Sequence, residues 1–356
     1  MMQNKFVFAE DQLSRQLATL ALVSRSFIRR SRHHQFKVLD LHDRKLEALA
    51  TLIRSPLATF KPHVTKITLR KPPTVAESDL LALATALPNV QCISLRIYDD
   101  KLDVTAIFLK FIGQFESLKD LELSSFQISS FGDLAKIICA SSKLETLKIS
   151  TVLFAIEALP REDLLSAIEP PPVNLRTLDV THHHPAYNNL FQWLNSGSTR
   201  RSVGPVDRYS SYPKLVAAPS RSLRSSLEHL AVDTPLHVSR GDPLCNLIHD
   251  SALKSFTCYF DVDQYAHGKA HITDISTMLG QISSMLEKFT ICFGGWPFYE
   301  SVHIDLKEVD ELLQRSNFGC LQMVLLVADI HRLEKWAPKT LPRSFSRGVV
   351  RFQRLC

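Results

Sequence analysis

Glycine is scarce in this chain, 11 in 356 residues, where roughly 7% is usual. Loops that cradle phosphate need clustered glycines, and the one adjacent pair here is Gly294-Gly295. Long apolar runs are missing too. The longest near-candidate, 320–328, is the size of a strand, well short of the roughly 18 residues that span a membrane. The seven cysteines are scattered and odd in number, with no Cys-x-x-Cys pair. Secreted disulfide scaffolds are short and cysteine-dense, so reduced, mostly buried thiols are expected. Cys356 is the last residue printed and lacks the three residues of a prenylation box. No asparagine sits in an Asn-x-Ser/Thr sequon, and the first residues show no apolar core of a secretory signal. A cytoplasmic or nuclear chain without a membrane anchor is the expectation.

Charge is present but uneven. The formal net charge is +6. Residues 1–45 carry nine Lys and Arg against four Asp and Glu, residues 196–226 six against one, and residues 331–356 seven against one. The rest of the chain is therefore acidic. A nucleic-acid binder would gather its basic residues on one face or stripe. Here they lie at both ends and in one intervening stretch, so nucleic acid is not the expected partner. The stretch 196–226 is rich in Ser, Arg and Pro and reads as a disordered loop, unable to bury enough apolar surface to offset its ordering entropy.

What the sequence does contain is a repeat. A hexad with apolar residues at its first, fourth and sixth positions occurs at 36–41, 64–69, 90–95, 118–123, 144–149, 175–180, 227–232, 253–258, 286–291 and 321–326, with a weaker copy near 348–352. The last three positions alternate apolar, polar, apolar, as in Leu121-Glu122-Leu123, the period of a half-buried strand. Between the hexads lie apolar series at helical spacing. They follow start signals at Asp43, Ser78 with Asp79, Asp103, Ser130, Asp242 with Pro243, and Asp305. One strand and one helix every 26 to 35 residues cannot bury its apolar side alone, but stacked copies can. The 52-residue interval after Leu175 reads as one helix near 185–194 and the polar loop, without a hidden strand.

The expected fold is an α/β right-handed solenoid over 36–356, with parallel strands inside and helices outside. The pattern resembles the leucine-rich-repeat family, best at Leu118/Leu121/Leu123, Leu144/Leu147/Ile149 and Leu175/Leu178/Val180. The family's following Asn or Cys is absent: positions 126, 152 and 183 hold Phe, Val and His. Irregular repeats are therefore expected.

Residues 1–35 form a different unit. Leu13, Leu17, Leu20, Val23 and Phe27 recur at helical spacing among several arginines. The stretch 17–41, with Leu22-Val23-Ser24-Arg25-Ser26-Phe27, a basic run and Phe36, resembles the second half of the F-box in fungal F-box proteins with degenerate leucine-rich repeats. The resemblance implies docking on the Skp adaptor of an SCF-type ubiquitin ligase through Leu17, Leu20, Leu22, Val23, Ser24 and Phe27, with the repeats holding an unknown protein substrate. The first half of the F-box, with its Leu-Pro start, is missing from this sequence. The alternative is an adaptor-independent scaffold whose truncated N-terminal helix only caps the first repeat.

Signatures of catalysis are lacking. There is no nucleophile elbow, Walker loop, dinucleotide fingerprint or His-Glu-x-x-His, so neither enzymatic activity nor a cofactor is expected. Of His182, His183 and His184, alternate side chains of an extended segment diverge, and no cysteine or carboxylate stands at ligand spacing, so no metal site is expected. The aromatic cluster Phe293, Trp296, Phe298 and Tyr299 around the Gly-Gly pair is a candidate partner-binding loop. The competing reading is a loop folding its rings over the core.

Overall fold

A computed structural model describes residues 34–55, 58–70, 77–96, 105–128, 130–154, 170–181, 187–196, 226–233, 243–261, 272–294, 306–328 and 330–354. The expected N-terminal cap, up to His33, and all six candidate adaptor-binding residues lie outside them, as do the histidine run 182–184 and residues 197–225. The chain divides into two compact units, the first ending at Ile156 and the second running from Glu157 to Leu355.

In the first unit, β1 (Val38–Leu41), β2 (Lys66–Arg70), β3 (Cys92–Arg96), β4 (Asp120–Ile128) and β5 (Thr146–Phe154) run parallel in chain order. Helices α1 (Asp43–Arg54), α2 (Glu77–Ala86), α3 (Thr105–Gly113) and α4 (Phe131–Cys139) alternate with them. In the second unit, β6 (Thr177–Thr181), β7 (His229–Asp233), β8 (Ser255–Asp261), β9 (Lys288–Gly294), β10 (Met323–Ala328) and β11 (Val350–Arg354) follow the same rule. Their helices are α5 (Tyr187–Ser196), α6 (Pro243–Asp250), α7 (Ile272–Gln281), α8 (Lys307–Leu312), α9 (Ile330–Thr340) and α10 (Pro342–Ser346). The weak copy near 348–352 is thus a real eleventh strand. It is entered through Gly348 at φ +70, a conformation open to glycine at little cost.

Each of β1 to β10 begins at the third position of its hexad, and equivalent positions face one another. Leu39 lies opposite Ile67, Ile67 opposite Ile93, Ile93 opposite Leu121 and Leu121 opposite Leu147. In the second unit the same row is Leu178, Leu230, Phe256, Phe289, Val324 and Val350. These side chains are buried. The Phe256 and Phe289 rings stack at 6.0 Å between centroids, an arrangement worth somewhat more than its buried area. The hexad's first residue is buried as well, with Val64, Val90, Leu118, Leu144, Leu175, Leu227, Leu253 and Leu286 fully shielded. From the other side the helices contribute residues such as Leu134, Ile137 and Ile138 or Leu244, Leu247 and Ile248. Burying one such side chain stabilises by about 1.5–3 kcal/mol.

The second hexad position supplies the backbone clamp. Thr65 and Lys66 both donate their amides to the Lys37 carbonyl; Gln91 and Cys92 do so to Thr65, Lys119 and Asp120 to Gln91, and Glu145 and Thr146 to Lys119. In the second unit Arg176, Glu228, Lys254 and Glu287 accept in the same way. Serine hydroxyls add a second tie. Ser141 donates to the Leu118 carbonyl at 2.9 Å, Ser226 to Leu175 at 3.0 Å and Ser284 to Leu253 at 2.9 Å. β6 pairs directly with β7, Thr177 opposite His229, so no strand stands between them despite the long interval.

Of the start signals, Asp43 lies inside its helix and not before it, and Asp305 lies outside the described residues. The cap of α1 is His42, and α8 is capped by Leu306. Ser130, by contrast, caps α4 and accepts from the Asp133 amide at 3.2 Å. The missing family asparagine also has a structural answer. β4 and β5 continue past the hexad, with Phe126 opposite Val152. They do so through left-handed residues at the same point, Ser125 at φ 51 and Thr151 at φ 55. Strand pairing thus takes over the backbone groups that a polar side chain would have to satisfy.

One cap comes from outside its own helix. The α10 N-cap, Leu341, offers no side-chain acceptor. Buried Asp310 of α8 replaces it, accepting from the Arg343 amide at 2.8 Å, the Ser344 amide at 2.9 Å and the Ser344 hydroxyl at 2.6 Å. Stranding buried donors costs about 1–3 kcal/mol each. Asp310→Ala is therefore expected to lower unfolding free energy by about 3 kcal/mol. Asp310→Asn, which keeps one acceptor oxygen, should lose clearly less. Urea unfolding of the three proteins checks the order.

Candidate functional site

Because side chains alternate along a strand, the rows between the buried ones lie on the opposite face. In the first unit one such row is Asp40, Thr68, Ser94, Glu122 and Lys148. Flanking rows are Lys66, Cys92, Asp120 and Thr146 on one side, and Arg70, Arg96, Ser124 and Ser150 on the other. The long side chains are half-exposed and close over the short ones: Thr68 is 7% and Ser94 0% exposed. Lys66 Nζ lies 3.7 Å from Glu122 Oε2, and Arg96 Nη2 3.4 Å from Glu122 Oε1. Arg70 Nη2 reaches Asp40 Oδ2 at 2.8 Å. Burial pushes the Cys92 thiol up. The carboxylates of Asp120 and Glu122 add to that, and the ammonium groups of Lys66 and Lys148 oppose it.

The second unit's outward face is different. Its middle row is Asp179, Ala231, Thr257, Thr290, Leu325 and Arg351. One flank is Thr177, His229, Ser255, Lys288 and Met323; the other is Asp233, Tyr259, Cys292, Val327 and Gln353. The face runs from carboxylates at β6 and β7, through small residues, to a half-exposed apolar group of Met323, Leu325 and Val327 at β10. Burial, helped by Asp179, Cys292 and Asp233, raises the Tyr259 phenol to about 12. Burial and Asp179 raise the Cys292 thiol to about 11 against the pull of Lys288. Inside the core, burial holds the Cys258 thiol far up.

These shifts bear on chemistry. A nucleophilic thiol needs a depressed pKa, and here each shifted cysteine goes the other way. Among the described residues, no group of three or more His, Cys, Asp or Glu could hold a metal ion. What the faces can do is offer fixed rows of donors, acceptors and charges.

Of the candidate partner-binding residues, only Phe293 is described. It is buried on β9, and its ring meets Trp336 of α9 edge-on at 6.0 Å. Trp296, Phe298 and Tyr299 lie outside the described residues. The outward rows were not singled out from the sequence. The signal was available in the hexad's third and fifth positions, which the strand period places opposite the core. No helix among the described residues is long and apolar enough to cross a membrane.

With intact protein at pH 7, iodoacetamide should modify exposed Cys320 well before Cys92 or Cys292, as read by peptide mass spectrometry. In an alkaline ultraviolet titration, the difference between the native chain and Tyr259→Phe should show a phenolate rising around pH 12, not at the ordinary value of about 10. The folded chain keeps this proton after the unfolded chain has lost it. Tyr259 therefore contributes stability that is present below about pH 10 and fades as pH rises toward 12.

No protein-family model matches the chain, and no curated protein does. Among solved structures, the leucine-rich-repeat-containing protein LegL7 from Legionella pneumophila is similar, with a TM-score of 0.50 at 12% identity over 89% of this chain and 90% of that one. Internalin C2 from Listeria monocytogenes gives a TM-score of 0.30 at 13% identity, over 79% and 91%. TLR13, solved as a complex with ssRNA13, gives 0.38 at 13% identity, over 82% and 39%. The parallel strand-and-helix repeats together with the LegL7 likeness establish an α/β leucine-rich-repeat solenoid fold.

Proposed function

We propose that the chain is a protein-interaction scaffold without catalytic activity of its own, binding a protein partner across the outward faces of its strands. The observation that carries this reading is the register. Equivalent residues of successive strands stand side by side within each unit, so side chains far apart in sequence form fixed, half-exposed rows. Ordered rows of this kind suit a macromolecular surface better than a small molecule, which is usually taken up in a concave pocket.

The finer form of the proposal is a substrate receptor of an SCF-type ubiquitin ligase, intracellular, with the Skp adaptor on residues 17–27 and the repeats on the substrate. Its support is the resemblance of residues 17–41 to the second half of an F-box. A pull-down of the full chain with purified Skp adaptor, beside Leu20→Asp/Phe27→Asp, tests it. Capture by the native chain and loss in the variant are expected. A folded native chain that captures nothing would remove the receptor role and leave the free-standing scaffold. The scaffold reading is tested separately with photo-crosslinking residues at Lys148 and Thr257 on the outward faces and at exposed Lys143 and Glu116 outside them. Crosslinks to a partner are expected at the first pair. Crosslinks confined to the second pair would overturn the assignment of the binding face.

A further inference from the structure

The clamp around Glu122 is unusual in what it leaves unsatisfied. Ser94 stands beside it in the same outward row, since Ser94 and Glu122 are register partners on β3 and β4. Ser94 is fully buried although it belongs to the outward row. Its hydroxyl oxygen has no hydrogen-bond partner among the described residues, and neither does the buried Nε of Arg96. Such orphaned groups are rare in native proteins, because each costs the desolvation of a group that gains nothing in return. Arg96 Nε–H can only donate. The two orphans therefore call for an acceptor.

The acceptor at hand fits poorly. Charge-assisted N–H···O⁻ bonds settle at about 2.7–2.9 Å. The Arg70–Asp40 pair on the same face reaches 2.8 Å, whereas Glu122 is held at 3.4 Å by Arg96 and 3.7 Å by Lys66. Glu122 is thus attracted by two cations and bonds neither Arg96 Nε nor the Ser94 hydroxyl. Exposed Lys148, its register partner on β5, adds a third cation nearby. The carboxylates facing the cluster are Glu122 itself, Asp120 in the adjoining row and Asp40 at its end; Arg70 engages Asp40 through Oδ2 alone, and the buried Oδ1 has no partner among the described residues.

We infer that this side-chain cluster on β2 to β4 opens a pocket for the carboxylate of an acidic side chain from a protein partner, and that Glu122 is its internal stand-in. In the bound state the incoming carboxylate accepts from Arg96 Nε and the Ser94 hydroxyl and pairs with Lys66, while Glu122 swings out toward Lys148. The ligand is an acidic segment, aspartate or glutamate, matched by three cations around two buried donors. The inference rests on the scaffold reading and deepens it by naming the partner's chemistry.

The test uses fluorescein-labelled decaglutamate as probe, with decaglutamine and a phosphoserine-containing peptide of equal length as controls, on the full chain at low salt. Polarisation should rise with decaglutamate and not with decaglutamine. Glu122→Gln should tighten binding by about tenfold by removing the competitor. Glu116→Gln, the same charge change at an exposed position, should alter it less than about twofold, as is usual for a single exposed charge. In the Glu122→Gln background, Ser94→Ala and Arg96→Gln should each weaken binding, the latter by about tenfold, with urea midpoints at or above the parent's for Ser94→Ala. Equal effects of Glu122→Gln and Glu116→Gln, or binding indifferent to Arg96→Gln, would overturn the pocket, and its two donors would then serve ordered water. Tighter binding of the phosphoserine peptide would overturn the carboxylate assignment. The probe needs no partner. A negative result here with crosslinks at Lys148 therefore refutes the pocket alone, and a positive one without crosslinks refutes the scaffold reading alone.

Discussion

Two consecutive amides converging on one carbonyl hold each strand to the one before it. Lys37, Thr65, Gln91 and Lys119 accept such pairs in the first unit, and Arg176, Glu228, Lys254 and Glu287 in the second. The clamp sits where the chain turns from helix into strand. It fixes the strand's first paired residue through backbone atoms alone. A slip by one residue would turn every inward leucine outward, so the core rows and the outward rows share this one constraint. The serine hydroxyls of Ser141, Ser226 and Ser284 reinforce it one residue upstream, at the carbonyl of the hexad's first residue.

The two units apply that frame to different surfaces. In the first, the outward rows are dominated by salt-bridged charges around Ser94 and Cys92. In the second, carboxylates, a neutral phenol and a high-pKa thiol give way to apolar residues at β10. Neither face carries an activated nucleophile among its shifted groups, because burial is the leading cause of each shift and always favours the uncharged form.

Much of the architecture could be read from the sequence because the signal is local. Strand position follows from three alternating residues, and ten hexads repeat it. The eleventh strand was faint, since Val350 and Phe352 stand without the usual leading leucine. Features that depend on residues far apart were not legible. The cap of α10 is an aspartate 33 residues before the amide it accepts from. The left-handed turns at Ser125 and Thr151 carry no glycine to announce them. The site was harder still. The strand period places the outward positions but does not dictate their residue types, so nothing in Lys66, Ser94, Arg96 and Glu122 taken singly joins them until the strands are set side by side.

The direct pairing of β6 with β7 has a consequence for how such a chain can change. The clamp at Arg176 receives Glu228 and His229 regardless of the 52 residues that separate equivalent hexad positions. Closing a longer loop costs little, only about 0.6 kcal/mol for each doubling of its length. Register between β6 and β7 is set at Arg176, Glu228 and His229, so the strand faces on either side answer to that contact and not to how many residues separate them.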